Sequence, residues 1–249
     1  MPDSLEKPAA PQICIACEGT VFEPAGNYRG YNLYHCLRCG FRFTHPIPGA
    51  AEIAAVYEKY NKAGKYTAKA ERKVVRAQKR IRRYMRHAPG KRFLDVGCSV
   101  GTAVEAARRC GLEAYGIDIG DQSIAIAREI FPGGHYHAVA IESLPPEWGN
   151  FDFIYSAEVI EHLPDPHAYF TALSPRINAG GLLYLTTPDA GHWLVPKDFA
   201  KWNAVYPPEH LLFFTRDAMR HFLGRHGFDV IKFVWSPFKH HLKLLARKR

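Results

Sequence analysis

Two stretches of this sequence carry residues whose types and spacing suit chemistry. The first is a pair of CxxC units, Cys14-Ile15-Ala16-Cys17 and Cys36-Leu37-Arg38-Cys39, separated by 18 residues. Each unit bends the backbone so that two thiolates face one ion, and four thiolates satisfy tetrahedral Zn²⁺. Four protein ligands leave no open coordination position, so the metal here is expected to be structural. Gly19 and Gly40 follow the two pairs, where a knuckle calls for a positive φ. A module this short and this poor in apolar surface needs its metal to fold. Buried thiols or a redox pair are the alternative readings. Cys98 and Cys110 stand outside the set.

The second stretch begins at Phe93 and reads FLDVGCSVGT. Gly97-Cys98-Ser99-Val100-Gly101 matches the G-x-S-x-G elbow of serine hydrolases, which would make Ser99 a nucleophile. That chemistry needs a second oxyanion donor from an earlier strand–helix loop, and only a cysteine module and a basic helical stretch precede Phe93. A phosphate loop needs Lys after its last glycine, and none follows Gly101. Asp95 would repel a pyrophosphate but suits an ammonium group. Asp118 follows 23 residues later at the end of the next expected strand, placed to accept ribose hydroxyls. A ribose, a positive charge and no phosphate together describe S-adenosyl-L-methionine (SAM).

Those residues need a scaffold. From Lys91 onward strand and helix signals alternate. Strands are expected at 92–96, 113–118, 135–140, 151–156, 181–187 and 228–234, and helices at 101–110, 121–130, 165–178 and 215–226, with Asp121, Asp165 and Thr215 as caps. This predicts an α/β fold, a Rossmann-like, doubly wound, mostly parallel sheet with ligands at the C-terminal strand ends. Residues 238–249 read equally as a final antiparallel strand or a basic tail. The organisation expected is a flexible leader (1–12), a zinc-ribbon-like module (13–49), a basic helical segment (50–90) broken near 61–64, and the SAM domain (91–249).

LDVGCSVG (94–101), YGIDIG (115–120), FDFIYSAEVIEHLPDP (151–166) and GLLYLTTP (181–188) resemble the class I SAM-dependent methyltransferases. The cysteine-paired module ahead of them is similar to a group of small-molecule methyltransferases related to sugar and ubiquinone-pathway enzymes. The resemblance implies that Gly97, Cys98, Ser99 and Gly101 wrap the methionine part of SAM, with Asp95 at its amino group and Asp118 and Ile119 at the ribose side. Many relatives carry an acid before the third-strand loop that meets the adenine; here that place is Ala140, followed by Ile141 and Glu142, so adenine contacts are expected to be mostly backbone and apolar, and Ser156 ends the fourth strand at the same edge. Ser99 then lines the loop where relatives carry Gly or another small residue. Glu161-His162 matches the EH pair of relatives, and His162 or, on the later aromatic loop, His210 is the expected general base, with Glu161 beside them.

The net charge of +9 is local: between Glu58 and Arg92 there are 14 Lys/Arg against two Glu, a surplus of 12. Val74, Ala77, Ile81 and Tyr84 form an apolar stripe for packing, and the arginines around them are a solvated face, an attractor for an anionic substrate, or an RNA surface. A small-molecule acceptor is the preferred partner, methylated at oxygen or carbon, with rRNA or tRNA as the rival. No apolar run reaches the ~18 residues that span a bilayer, and no signal-peptide core opens the chain, so a cytoplasmic protein is expected. The oligomeric state is not readable from these residues.

Overall fold

The computed structural model describes residues 11–58 and 70–249. The break expected near 61–64 lies outside them, as does the expected leader apart from its last two residues.

Two sheets organise the chain. In the larger one, β4 (Arg92–Val96), β5 (Glu113–Asp118), β6 (His135–Ala138), β7 (Phe151–Ala157) and β8 (Ile177–Pro188) run parallel. Then β10 (Phe228–Phe233) and β11 (His241–Lys248) complete the order β10-β11-β8-β7-β4-β5-β6, with β11 antiparallel to both its neighbours. The basic C-terminus is therefore a strand and not a tail. Its Leu242, Leu244 and Ala246 are buried while Lys243 and Arg247 alternate away from them. The strand order reverses at β4, whose partners are β5 and β7, so the crevice between the β4 and β7 ends is where a ligand belongs.

One face of this sheet is covered by α2 (Ala70–Tyr84), α3 (Thr102–Arg108) and α4 (Asp121–Ile130), the other by α5 (Pro166–Leu173) and α6 (Arg216–Arg225). The stripe expected on α2 is buried throughout: Val74, Ala77, Ile81 and Tyr84 pack with Val104, Ala107 and Tyr184. Arg80 departs from the solvated face expected for it. Its guanidinium lies over the Tyr155 and Tyr184 rings and donates to the Tyr155 hydroxyl.

Local signals explain most helix ends. Asp165 caps α5 by accepting from His167 N and Ala168 N, and Thr215 caps α6 by accepting from Ala218 N. Asp121 is different: Gly120 occupies the cap position and Asp121 begins the helix. The helix expected over 165–178 ends at Leu173, followed by a short turn over Ser174–Arg176, and Ile177 already belongs to β8. Asp152 holds this early strand start, accepting from Asn178 Nδ2 at 2.8 Å and from Arg92 N at 3.0 Å.

The smaller sheet, β1 (Phe22–Tyr28), β2 (Tyr31–Cys36), β3 (Arg42–Thr44) and β9 (Leu212–Phe213), is antiparallel. Its last strand comes from the methyltransferase-like half, so the N-terminal module is stitched to the main domain by backbone pairing. The four paired cysteines share one buried cluster with Phe214, Met219 and Phe222. Preceding α2, α1 (Ala50–Glu58) is held to this sheet by the Tyr31 hydroxyl of β2, which donates to Glu52.

Candidate functional site

The four cysteines converge as their spacing predicts. Cys14 Sγ lies 3.8 Å from Cys39 Sγ, and Cys17 Sγ lies 3.6 Å from Cys36 Sγ. A tetrahedron with Zn–S bonds of about 2.3 Å has sulfur–sulfur edges of about 3.8 Å, so the cage has the dimensions of a Zn(Cys)₄ site. All four side chains are buried, and their sulfurs lie within 4.8 Å of one another. The hydrogen bond shared with Cys39 draws the Cys14 thiol down to about 5 even before a metal is considered. Each knuckle closes with a residue at positive φ four places after its first cysteine. In the second it is Gly40, as expected, but in the first it is Glu18 (φ 61) and not Gly19. Gly19 is needed for closeness: a Cβ there would meet Arg38 Cβ at 3.0 Å and Cys17 Sγ at 3.3 Å.

At the end of β4 the loop takes three left-handed conformations, Gly97 (φ 77), Ser99 (φ 48) and Gly101 (φ 75). A side chain at 97 would meet Val159 Cγ2 at 2.5 Å, and one at 101 would meet the Tyr136 hydroxyl at 2.7 Å. The bare backbone makes the loop a cradle. Gly97 N and Cys98 N both donate to Ile117 O at 2.9 Å, and Ser99 N donates to Asp118 Oδ2 at 2.8 Å. Asp118 Oδ1 accepts from Gly120 N at 2.9 Å. A carboxylate has about four lone-pair sites, so Asp118 keeps acceptor capacity for two hydroxyls. Asp95 is buried, and burial first, then the negative Asp118, raise its pKa to about 8. A buried acid with no ion-pair partner among the described residues fits a ligand that brings an ammonium group.

The remaining residues expected at the cofactor fall into two groups. Cys98 is buried under the loop, Ile119 stands 60% exposed beside Asp118, and Ile141 and Glu142 begin the turn after β6, Ile141 buried and Glu142 exposed. Ser156 pairs with Val96 at the same strand edge, immediately before the loop, and its hydroxyl is bonded to Tyr169 at 2.9 Å on the α5 side of the sheet. No histidine is hydrogen-bonded to Ser99 among the described residues, and its backbone conformation is one a glycine prefers.

Beyond β7 a second cluster forms. Glu161 is completely buried, with Oε2 accepting from Thr187 Oγ1 at 2.9 Å and Oε1 without a partner among the described residues. Burial, then the neighbouring Glu158, push its pKa well up, which favours the neutral form. His162 and His210 meet edge to face, ring centres 4.5 Å apart. His162 Nδ1 lies 2.8 Å from Glu209 O, and a carbonyl can only accept, so that nitrogen carries the proton and Nε2 keeps its lone pair. By the same logic His210 donates from Nδ1 to Ala204 O at 2.9 Å, while its Nε2 accepts from the Tyr206 hydroxyl at 2.7 Å. Burial lowers both pKa values, that of His210 to about 3, so both rings are neutral at pH 7.

Glu158 and Thr187 are not singled out by residue order, whereas Tyr206 belongs to the aromatic loop that residue order does mark as a substrate wall. Glu158 sits at φ 57 directly after β7, a strained conformation of the kind functional sites hold; its place at a strand end, three residues before Glu161, is the available signal. Thr187 is tied to the cluster by its bond to Glu161. The aromatic loop divides its rings: Phe199, Trp202 and Phe213 are buried against one another, while Trp193 is 69% exposed.

A glycine cradle at the β4 end, flanked by a buried acid and a second acid on β5, on a seven-stranded sheet with β11 reversed, is the arrangement of a class I SAM-dependent methyltransferase. A family model described as "Methyltransferase domain" matches residues 66–232, and the chain belongs to that family, as a SAM-dependent methyltransferase. It is 30% identical over 174 residues to a ubiquinone biosynthesis O-methyltransferase of Pseudomonas paraeruginosa, covering 62% of this chain and 73% of the relative. A protein of the same description from Idiomarina loihiensis is 35% identical over 169 residues, covering 60% and 68%. Among solved structures, magnesium protoporphyrin IX methyltransferase from Synechocystis PCC 6803 with bound SAM has a TM-score of 0.56 at 17% identity, covering 81% of this chain and all (100%) of that one. The [4+2]-cyclase SpnF is equally similar in fold, with TM-score 0.56 at 17% identity over 70% of this chain and 80% of its own. The fold is thus common to different reactions, and the chemistry has to be argued from the site. No helix among the described residues is long and apolar enough to cross a membrane.

Proposed function

We propose that this chain transfers a methyl group from SAM to an oxygen of a small-molecule acceptor, with His162 as general base and a structural Zn²⁺ held by Cys14, Cys17, Cys36 and Cys39. When bound, SAM supplies a methyl group made electrophilic by its sulfonium. In this reading Gly97, Ser99 and Gly101 let the backbone close on the methionine part, Asp95 holds the ammonium, and Asp118 accepts from the ribose. Ile119 and Ile141 offer apolar surface to the adenine. The names of the relatives favour oxygen over carbon as the acceptor atom.

The observation that carries the base assignment is the His162–Glu209 bond. It fixes the tautomer with Nε2 unprotonated, ready to take the proton of an acceptor hydroxyl. His210 has both nitrogens engaged, so it supports the ring of His162 and does not compete for the proton. Thr187 and the neutral Glu161 form the floor beneath the pair.

The test is incubation with labelled SAM followed by separation of small-molecule and RNA fractions. Label in phenolic or hydroxylated small molecules is expected, and label only in RNA overturns the reading. His162→Ala should lower kcat by about 10²–10⁴-fold with SAM affinity unchanged by calorimetry, whereas an unchanged kcat removes His162 from the base role. A second reading uses the same residues: Glu161, His162 and His210 offer ligand atoms all within 4.8 Å, close enough to converge on a divalent cation. Activity that is lost on chelation and returns with Mg²⁺ or Mn²⁺, but not with Zn²⁺, would favour it.

A further inference from the structure

At the seam between the cysteine module and the main domain lies a cleft of about 710 Å³. It takes Arg38 from the second knuckle, Asp189 from just beyond β8, Trp193 from the following loop, Arg216 and Arg220 from the first turns of α6, and Trp235 from the β10–β11 connection. Four separate segments converge on it. We infer that this cleft binds the acceptor through an oxyanion, phosphate or carboxylate, attached to a flat apolar body. The inference deepens the acceptor side of the methyl-transfer reading and rests on it for the word acceptor, not for the binding itself.

Charge and exposure carry the argument. Arg220 is paired with Asp217 at 2.9 Å, so those two neutralise one another. Arg38 and Arg216 make no ion pair with a carboxylate within 4.0 Å among the described residues, although both face the cleft. Asp189 is the one acid opposing them, and it is turned to the backbone, accepting from Gly191 N at 3.0 Å; burial raises its pKa and weakens its charge. The Arg216 guanidinium lies 5.7 Å from the Trp235 ring centre and 5.6 Å from that of Phe233, which holds its plane against aromatic surface while its N–H groups stay available.

The walls supply the apolar part. Trp193 and Trp235 are 69% and 66% exposed, large rings that the fold itself leaves uncovered. His192 ties the two walls together by donating from Nε2 to Ser236 O at 3.0 Å and stacking on Trp193. Paired guanidiniums with adjacent indoles recognise a planar acid, because the guanidinium fork matches two oxyanion atoms and the indole face covers the ring. The location suits an acceptor. Asp189 is two residues beyond Thr187, the partner of Glu161, which is about 7 Å along an extended chain, so an acid bound here extends toward the His162 side of the crevice.

This also gives the cysteine module a task. Arg38 lies between Cys36 and Cys39, so its backbone is set by the knuckle, and Cys39 O accepts from Thr215 Oγ1 of the α6 cap. The knuckle thereby holds Arg38 in the lining that Arg216 shares.

The experiment is fluorescence titration of the full-length, zinc-replete protein without SAM, so that failure of binding and failure of methyl transfer are read separately. The probes are phenyl phosphate, phenylacetate and benzyl alcohol, at constant ionic strength. Saturable quenching by one or both anions is expected, weak or absent quenching by the alcohol, and loss of the signal in a Trp193→Phe, Trp235→Phe double variant. Which anion binds more tightly distinguishes phosphate from carboxylate. Arg38→Gln and Arg216→Gln should each weaken the anion by about tenfold or more, with circular dichroism and zinc content unchanged. No saturable quenching up to millimolar concentrations overturns the inference. So does equal binding of benzyl alcohol, or arginine variants that fold and still bind the anion normally.

Discussion

With Asp95 as the proposed partner of the SAM ammonium, SAM affinity is expected to depend on pH. The Asp95 carboxyl is buried and its pKa is raised to about 8, by desolvation first and then by Asp118. If the ammonium of SAM is held by the ionised form, binding near neutral pH must first remove a proton. The free protein's ionised fraction falls from one half at pH 8 to about one hundredth at pH 6, a factor of about fifty for a pKa of about 8. The ligand's own amino group, with a pKa of about 7.8, gains about 2.5-fold in its cationic form over the same interval. The net expectation is that Kd rises about twentyfold between pH 8 and pH 6. Isothermal titration calorimetry measures this directly, and at pH 7 the enthalpy should vary with buffer ionisation as a proton is released. Asp95→Asn should bind more weakly at pH 8 and lose the dependence. A flat profile in the unmodified protein, or the same slope in the variant, would refute the reasoning. The sign for folding is opposite. An acid whose folded pKa lies above its unfolded value of 3.8 contributes stability below that value, and loses it as pH climbs toward about 8. Ligand-free Asp95→Asn should therefore melt above the unmodified protein at pH 8 and lose that advantage at pH 4.

Ser99 has φ 48, where a glycine pays no Cβ penalty, so Ser99→Gly should retain activity and gain up to about 1 kcal/mol in denaturant unfolding. Gly97→Val places atoms against Val159, where a Cβ alone would lie 2.5 Å from Cγ2, at φ 77, and calorimetry should find no SAM binding. The purified protein should hold one Zn²⁺ by atomic absorption, and Cys36→Ala should abolish it. Because Cys36 packs in the same cluster as Phe214 and Met219, removal of the metal should lower the melting temperature of the whole chain and not of the module alone. Glu161→Gln should keep SAM binding, since the carboxyl is already neutral, whereas Thr187→Val should lower kcat by loosening the floor under His162.

Much of this was legible from residue order because the signals are local. The CxxC spacing predicts four converging thiols, and the cysteine sulfurs meet at 3.6 and 3.8 Å. Alternating β- and α-periodicity places β4, β5, β6 and β7 to within two residues, and the Val74-Ala77-Ile81-Tyr84 stripe is buried as its helical period requires. Where a local signal had a competitor, it failed. Ile177 and Asn178 lie in a helix-compatible run, yet pairing with Phe151 and the Asp152–Asn178 bond draw them into β8. Glu18 takes the left-handed turn of the first knuckle because closing two thiols on one point demands it there, whatever residue occupies the place.

The G-x-S-x-G letters match a hydrolase elbow and a cofactor loop alike, and the lack of an earlier strand–helix loop already weighs against the elbow. The structure adds long-range contacts to that reading. Asp118, brought beside the loop by parallel pairing of β4 and β5, accepts from Ser99 N, and no histidine is hydrogen-bonded to the serine among the described residues. Spacing within a few turns of chain is enough to place the ligand-bearing residue types, the four-cysteine cage and the alternating fold. The tautomer of His162, the raised pKa values of Glu161 and Asp95, and the gathering of Arg38 and Arg216 along one cleft depend instead on long-range packing. Each of these is a matter of which groups are excluded from water together, and that is set by segments far apart in the chain.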